Sequence, residues 1–452
     1  MNWKERVQQW VVEPTLRGLG VPVLRQYGFE PTEPPRVLLY TASNVGLGHL
    51  FRVLRTAAEL RRLLPRVNLL LLTDTEHLHV TQYYGQLAVL RLPNFHYFGE
   101  NFREKPVGLE LSKGKLRLLR YNAMLAAVHS FQPHVFLMDT APHGKRNELY
   151  PVLEYLAAQR RPPIRILQLR DVPFVPGEAE RTDDARRQLT RNPDFYDYLF
   201  VAGDPQYFDL AKVYDWPKKI TRKLFYLGFI IPEADGDGPP AVESGTEREI
   251  ERMMQRPARR IVASFGGGWE AEGLGGALLA AYAELAAQRG EPLQFYLFTG
   301  PSAEDAALAG LQARAAGRDD VLIRKFSPRF SHLLARCDLA VLQAGSTPFQ
   351  ILETDIPMLL YARDFKSKEQ QFRAEQMIRF ANVELLGEDG GQPAVLRAAM
   401  ARLLDAPRVP RRTGFRYGGV RRSARAIAAM LADSRKPRRL SVEELNRICR
   451  EE

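Results

Sequence analysis

The first group in this chain that could do chemistry is a histidine, with two glycines before it and an arginine after it. They stand in Ser43-Asn44-Val45-Gly46-Leu47-Gly48-His49-Leu50-Phe51-Arg52. The apolar run Val37-Leu38-Leu39-Tyr40 leads in as a strand. Leu50, Val53, Leu54, Ala57 and Ala58 lead out on one stripe of a helix. Gly46 and Gly48 let a ligand or another backbone approach closely, and Arg52 offers a charge to an anion. His49 stands at the mouth of the helix, where a base that titrates near neutral pH could touch a bound substrate; it could also simply bond to backbone there. Asp139 follows a second apolar run, His134–Met138. Ligands of α/β proteins collect at such strand ends, although this carboxylate could equally cap the next helix.

A second group is Gly345-Ser346-Thr347-Pro348-Phe349-Gln350-Ile351-Leu352-Glu353, after the apolar run Leu339–Leu342. Thr347 reads as a helix N-cap, Pro348 as the first helical residue, and Gln350 as the residue that could close a capping box. A strand that turns into a helix start presents backbone N–H groups and a positive dipole end, a place for phosphate without a metal. Gly266-Gly267-Gly268 forms a third glycine turn, which could serve a phosphate or only the turn itself. The remaining histidines show no paired ligand spacing, so no metal site is expected. Asp235-Gly236-Asp237 lies among prolines and glycines and reads as exposed linker.

The elements that must hold these groups form two strand-and-helix arrays. The first has strands at Val37–Tyr40, Asn68–Leu72, His134–Met138, Ile164–Leu169 and Tyr198–Val201. The second has strands at Ile261–Ser264, Gln294–Phe298, Val321–Ile323, Leu339–Leu342 and Met358–Tyr361. Helical segments such as Leu50–Leu64, Leu116–Ser130, Leu274–Arg289 and Ala303–Ala315 separate them. Strands alternating with helices mean parallel sheets covered on both faces. The expected domains are an N-terminal extension 1–35, a Rossmann-like domain 36–231, a linker 232–246, a second Rossmann-like domain 247–434 and a basic segment with a helix 435–452.

Composition narrows the class. The chain has 452 residues, enough for two or three domains, and a 45% apolar content ordinary for a globular protein. Two cysteines, Cys337 and Cys449, argue against a disulfide framework. No apolar run approaches a spanning helix, and no signal-peptide core is visible. The formal charge is +11, with arginines dense between Arg408 and Arg439. An anionic membrane surface and a solvated basic face both fit that excess. Nucleic acid does not, because zinc-finger, basic-zipper and aromatic RNA-binding patterns are absent. Trp3, Val7, Trp10 and Val11 recur at helical spacing, suited to a membrane surface or to docking on a domain.

Taken in order, these motifs resemble a GT-B glycosyltransferase, an α/β fold of two Rossmann-like domains facing across an interdomain cleft. The resemblance is to family 28, the lipid II-forming N-acetylglucosaminyltransferase type. It is closer to bacterial predicted glycosyltransferases of unassigned substrate. The blocks that carry it are Gly46–Arg52, Asp139–Arg146, Leu169-Arg170-Asp171, Ala202–Pro205, Tyr226–Phe229, Ser264–Gly268, Thr299-Gly300-Pro301, Phe326-Ser327-Pro328 and the Gly345 turn, which span most of the chain.

The resemblance implies an inverting, metal-independent transfer of a hexosyl unit from a nucleotide sugar to an acceptor hydroxyl. His49 would be the base, with Asp139 as its orienter or substitute. The segment with Phe326 would lie beside the nucleotide base, and Gly345, Ser346 and Thr347 with Gly266 and Gly267 would take the diphosphate. Glu369 and Gln370 would touch the donor sugar. Arg52 and Arg373 would add charge, with Gly46 and Gly48 toward the acceptor or phosphate. The ribose residue falls at Gln350, and Glu353 lies one turn later; Glu353 is expected to bind the ribose, because a carboxylate accepts from both hydroxyls. No cofactor is implied. The substrate would be a nucleotide sugar, a UDP-sugar before others, and the acceptor a lipid-linked or small glycoside. The expected location is cytoplasmic, with an anionic inner membrane face as a second candidate partner. A nucleotide-sugar 2-epimerase of the same fold and a non-catalytic nucleotide-sugar-binding protein remain as alternatives.

Overall fold

The computed structural model describes residues 34–42, 47–98, 103–139, 141–175, 186–232, 245–267, 271–362, 368–380, 382–433 and 437–450. The N-terminal amphipathic segment, most of the linker with Asp235–Asp237, and Gly46 and Gly268 lie outside these residues. The chain divides into two compact units. One comprises Met1–Asn44, His49–Ile230 and Arg416–Glu452; the other comprises Val45–Gly48 and Ile231–Phe415.

The first unit carries strands β1 (Arg36–Thr41), β2 (Asn68–Thr73), β3 (Ala88–Arg91), β6 (Val135–Asp139), β7 (Ile164–Arg170), β8 (Tyr198–Ala202) and β9 (Leu224–Tyr226). They form one parallel sheet in the order β3-β2-β1-β6-β7-β8-β9. A separate antiparallel hairpin pairs β4 (Phe95–Phe98) with β5 (Arg103–Pro106). Helices α1 (Gly48–Leu63), α2 (Lys113–Phe131) and α3 (Tyr150–Ala158) lie between strands. Every residue of β6 and β8 is buried, as expected of parallel strands covered on both faces. That burial is why both read in the sequence as unbroken apolar runs. The stripe Leu50, Val53, Leu54, Ala57 and Leu60 turns α1 toward the core. Arg61 and Arg62 close its last turn, where cations suit the negative dipole end.

The second unit carries α4 (Gly245–Met254), β10 (Arg259–Ser264), α5 (Ala271–Gln288), β11 (Leu293–Phe298), α6 (Asp305–Arg314), β12 (Val321–Arg324), α7 (Phe330–Leu334), β13 (Leu339–Gln343), β14 (Met358–Tyr361), α8 (Glu369–Met377), β15 (Val383–Leu385) and α9 (Pro393–Asp405). Its parallel sheet runs β12-β11-β10-β13-β14-β15. Helices α5 and α9 bury Leu278, Tyr282, Leu285, Leu396, Met400 and Leu403 with Phe295, Leu297 and Val341 of the sheet. Both sheets follow the doubly wound order, in which the strand sequence reverses beside the first strand and ligands settle outside the carboxyl ends there.

Two expectations are corrected. The second domain does not run to residue 434. From Arg416 the chain returns to the first unit, with α10 (Gly419–Met430) and α11 (Val442–Ile448). Val420, Ile427, Met430, Leu440 and Leu445 are buried there, so the part of the arginine-rich segment from Arg416 onward is an amphipathic wall of that unit's core. The return is fixed by close backbone approach. Ile230 bridges Gly418, and a Cβ on Gly419 would stand 2.7 Å from the carbonyl oxygen of Gly228. Second, the run after Gly345 is no α-helix. Thr347–Gln350 is a single 3-10 turn whose N-cap is Ser346, not Thr347, and no side chain caps it. Pro348 stands at the start of the turn, where it suits a 3-10 turn as well as a helix, and the β-branched Thr347 and Ile351 slightly disfavour continuing as a helix. Gln350 and Glu353 therefore do not share a helix face. Among the described residues no helix is long and apolar enough to cross a membrane.

Candidate active site

In the first unit the strand order reverses between β1 and β6. The loop after β1 leads into α1, which places His49 and Arg52 one turn apart at its start. β6 ends on Asp139, paired in register with Thr41 on one side and Gln168 on the other. Asp139 is fully buried. His49 Nδ1 lies 2.5 Å from its Oδ1. Arg52 donates to both oxygens, from Nε and from a terminal nitrogen, each at 2.8 Å. Gln168 Nε2 donates to Oδ2 at 2.7 Å. A buried carboxylate could not persist without such compensation. Burial alone would raise the Asp139 pKa. The Arg52 charge and the His49 contact outweigh it and hold the carboxyl ionised, well below the usual range.

The same contacts set the state of the imidazole. Burial and the Arg52 guanidinium push the His49 pKa below the ordinary histidine value, against the opposing pull of Asp139. The ring is neutral at neutral pH. Nδ1 faces both the Asp139 carboxylate and, at 2.8 Å, a terminal nitrogen of Arg52; the tautomer that donates from Nδ1 to Asp139 is the one that leaves the Nε2 lone pair for a substrate. The His49 side chain keeps 30% of its surface exposed while Asp139 keeps 1%. The base is therefore reachable and its orienter is not. Arg52, expected beside a phosphate, is only 7% exposed and spends its fork on Asp139. Gln168 was not singled out from the sequence. Its signal is a lone amide inside the apolar run Ile164–Leu169, at the strand position opposite Asp139.

In the second unit the order reverses between β10 and β13. The glycine turn after β10 and the Gly345 turn after β13 meet at that point. Gly266 has φ +58°, and a Cβ on it would stand 2.3 Å from Gln343 Oε1 at the end of β13. Gly267 accepts from the Ser302 N–H, tying in the loop after β11. Phe326 is half-buried just beyond β12, beside Ser327, whose hydroxyl donates to Glu247 at 2.5 Å.

The remaining expected donor residues divide. Gln350 Oε1 is buried with no hydrogen-bond partner. Glu353, by contrast, is exposed and accepts from the Thr413 N–H at 3.1 Å and from the Thr413 hydroxyl. Glu369 and Arg373 are both buried and paired at 2.7 Å, and Arg373 also donates to the Ala344 carbonyl at 3.0 Å. That pair joins the start of α8 to the base of the Gly345 turn. Gln370 beside it is half-buried. Among the described residues no cluster of three His, Cys, Asp or Glu side chains could hold a metal ion.

No family model matches the chain, and no curated protein matches its sequence. Solved structures do match its fold. A glycotransferase of kitacinnamycin aligns at 18% identity with a TM-score of 0.54, covering 90% of this chain and all of the other. A UDP-glucosyltransferase from Polygonum tinctorium capable of glucosylating indoxyl aligns at 13% identity with a TM-score of 0.54, over 93% of this chain and all of that one. A protein proposed to be a UDP-N-acetylglucosamine 2-epimerase, from Listeria monocytogenes, aligns at 11% identity with a TM-score of 0.57, over 88% and 96%. These likenesses establish the fold class as GT-B.

Proposed function

We propose that the protein is a nucleotide-sugar-dependent glycosyltransferase that moves a hexosyl unit to an acceptor hydroxyl with inversion and without a metal. The observation that carries this reading is the His49–Asp139 pair. A neutral, reachable imidazole is held in one tautomer by a buried carboxylate, at the carboxyl end of a doubly wound sheet. In a single displacement the acceptor oxygen attacks the anomeric carbon as its proton passes to His49 Nε2. The bond from that carbon to the nucleotide diphosphate breaks, and the diphosphate leaves with the electron pair. Asp139 orients the ring and stabilises the imidazolium. Arg52 and Gln168 keep Asp139 ionised and fixed. Backbone N–H groups of the Gly266–Gly267 turn and of Ser346 and Thr347 are the candidates for the departing charge, since the Gly345 N–H already donates to the Gln343 carbonyl. Gln350 rather than Glu353 is the candidate for the ribose, because its buried oxygen lacks a partner and Glu353 already has one.

The test is transfer from a panel of UDP-, GDP- and dTDP-sugars to glycoside acceptors, with and without EDTA. Transfer that survives EDTA and is lost in His49→Asn supports the proposal. An absolute need for manganese or magnesium overturns its account of the leaving group. The epimerase reading is the second, favoured by the Listeria monocytogenes likeness. Donor turnover with no acceptor present would select it.

A further inference from the structure

From Gly345 to Leu352 the turn after β13 has no acidic residue. Its one side chain that can accept strongly is an amide. Gln350 closes the 3-10 turn Thr347–Gln350, half-buried, and its Oε1 is buried with no hydrogen-bond partner. Phe349, Ile351 and Leu352 around it in the chain are buried and apolar, so they add no second side-chain acceptor. Glu353 comes next, but it is exposed, and its Oε1 already takes the Thr413 N–H at 3.1 Å and the Thr413 hydroxyl. Arg411 fastens both partners in place. It is buried two residues before Thr413 and donates to the carbonyls of Thr354, Ile356 and Asn382, at 3.2, 3.0 and 3.0 Å.

A buried oxygen without a donor is a loss that a ligand can recover. The side chain is half-buried, and a turn about its last, broad torsion presents Oε1 to a ligand. What an amide then does differs from what a carboxylate does. A carboxylate has two oxygens and accepts from two neighbouring hydroxyls through charge-assisted bonds. An amide has one oxygen and one NH₂. Of two neighbouring hydroxyls, one donates to the oxygen. The other meets the NH₂, itself a donor, and its own hydrogen is left without an acceptor. Taking a hydroxyl out of water in that way costs binding energy. A sugar with a single hydroxyl at this edge leaves no hydrogen over.

We propose that the nucleotide read by this turn carries 2′-deoxyribose, so that the donor is a deoxyribonucleoside diphosphate sugar. The inference rests on the reading of Gln350 as the contact to the sugar of the nucleotide. The 3′-hydroxyl donates to Gln350 Oε1. The 2′ carbon bears only hydrogen and asks for no acceptor, which matches a turn that has none to give. The UDP-sugar expected first from the sequence brings a second hydroxyl that this turn cannot serve. Base and diphosphate play no part in the choice, which lies between nucleotides that differ by one oxygen atom.

Titration calorimetry with matched pairs tests this, UDP against dUDP and GDP against dGDP, so that base and diphosphate cancel. In whichever pair the site accepts, the deoxyribonucleotide is expected to bind about five-fold tighter or more. Gln350→Glu supplies two acceptor oxygens and should reverse the order, with the ribonucleotide ahead by about ten-fold. Glu353→Ala should keep the wild-type ratio. Equal or tighter binding of the ribonucleotide by the wild-type protein overturns the inference, whether or not the Gln350→Glu variant folds. So does a ratio that folded Gln350→Glu leaves unmoved, or one that Glu353→Ala changes. Binding of none of the four overturns it together with the donor reading. Otherwise the two readings fail separately. A ribonucleotide preference in a protein that transfers sugar removes this inference alone. A deoxyribonucleotide preference in a protein that turns its donor over without an acceptor removes transfer and leaves the inference standing.

Discussion

At the scale of single residues, the proposed chemistry depends on His49 being a neutral base with a fixed tautomer. His49→Asn removes the base and is expected to lower kcat by about 10²–10⁴-fold with little change in Tm, measured by initial rates and thermal melting. The wild-type acid limb of kcat/KM should fall below the ordinary histidine value of 6.5, because burial and Arg52 lower this pKa. Asp139→Asn sharpens the test. Asp139 opposes that lowering, so its neutralisation should move the acid limb further down, not up, while kcat falls with the lost orientation. The same variant strands the Arg52 charge beneath the sheet and should cost about 3–5 kcal/mol of stability, read by urea unfolding. The linkage has a definite sign. Both folded pKa values lie below their unfolded ones, so both contributions are complete above pH 6.5. His49 begins to lose its share as pH falls below that value, and Asp139 only below the normal carboxylate range.

At the scale of elements, the strands that build each ligand end were legible because they are apolar on both faces. The expected limits of β14 match the observed ones, and those of β1, β2, β6, β7, β8, β10, β11, β12 and β13 differ by a residue or two. The edge strands β3, β9 and β15 were not legible. They are three or four residues long, and β3 and β15 contain no buried residue; β9, Leu224–Tyr226, is apolar with two residues buried but too short to stand out. The hairpin of β4 and β5 was missed as well. The His49 turn and Asp139 were legible, since a polar residue closing an apolar strand is conspicuous. Their union with Arg52 was not, because it depends on strand order. The Gly345 segment misled, since Thr-Pro-x-Gln satisfies helix-start rules in a place where only one 3-10 turn forms. The proposed ribose contact is Gln350, whose buried oxygen has no partner, and not the expected Glu353. Gln350→Ala should weaken nucleotide binding several-fold, about 1 kcal/mol for one hydrogen bond. Glu353→Ala should leave it unchanged, as titration calorimetry can show. Weaker binding in Glu353→Ala alone would place the ribose on Glu353 instead.

At the scale of the whole molecule, the second unit is an insertion in the first. The chain leaves at Ile230 and comes back at Arg416, and the crossing is tight enough that only glycine fits at 419. Gly419→Ala must push against the carbonyls of Gly228 and Phe229, at 2.7 and 2.8 Å. It is expected to cost about 1–3 kcal/mol, seen as a lower urea midpoint. This routing orders events on the ribosome. The second unit is contiguous apart from Val45–Gly48 and can close soon after residue 415 emerges. The first cannot bury Leu440 and Leu445 until the final helix is released, so the half that bears His49 matures last. The two chain passages are already joined by the Ile230–Gly418 bridge. A gene in which a short glycine-serine joint replaces residues 231–415 should therefore yield the His49 half as a small stand-alone protein.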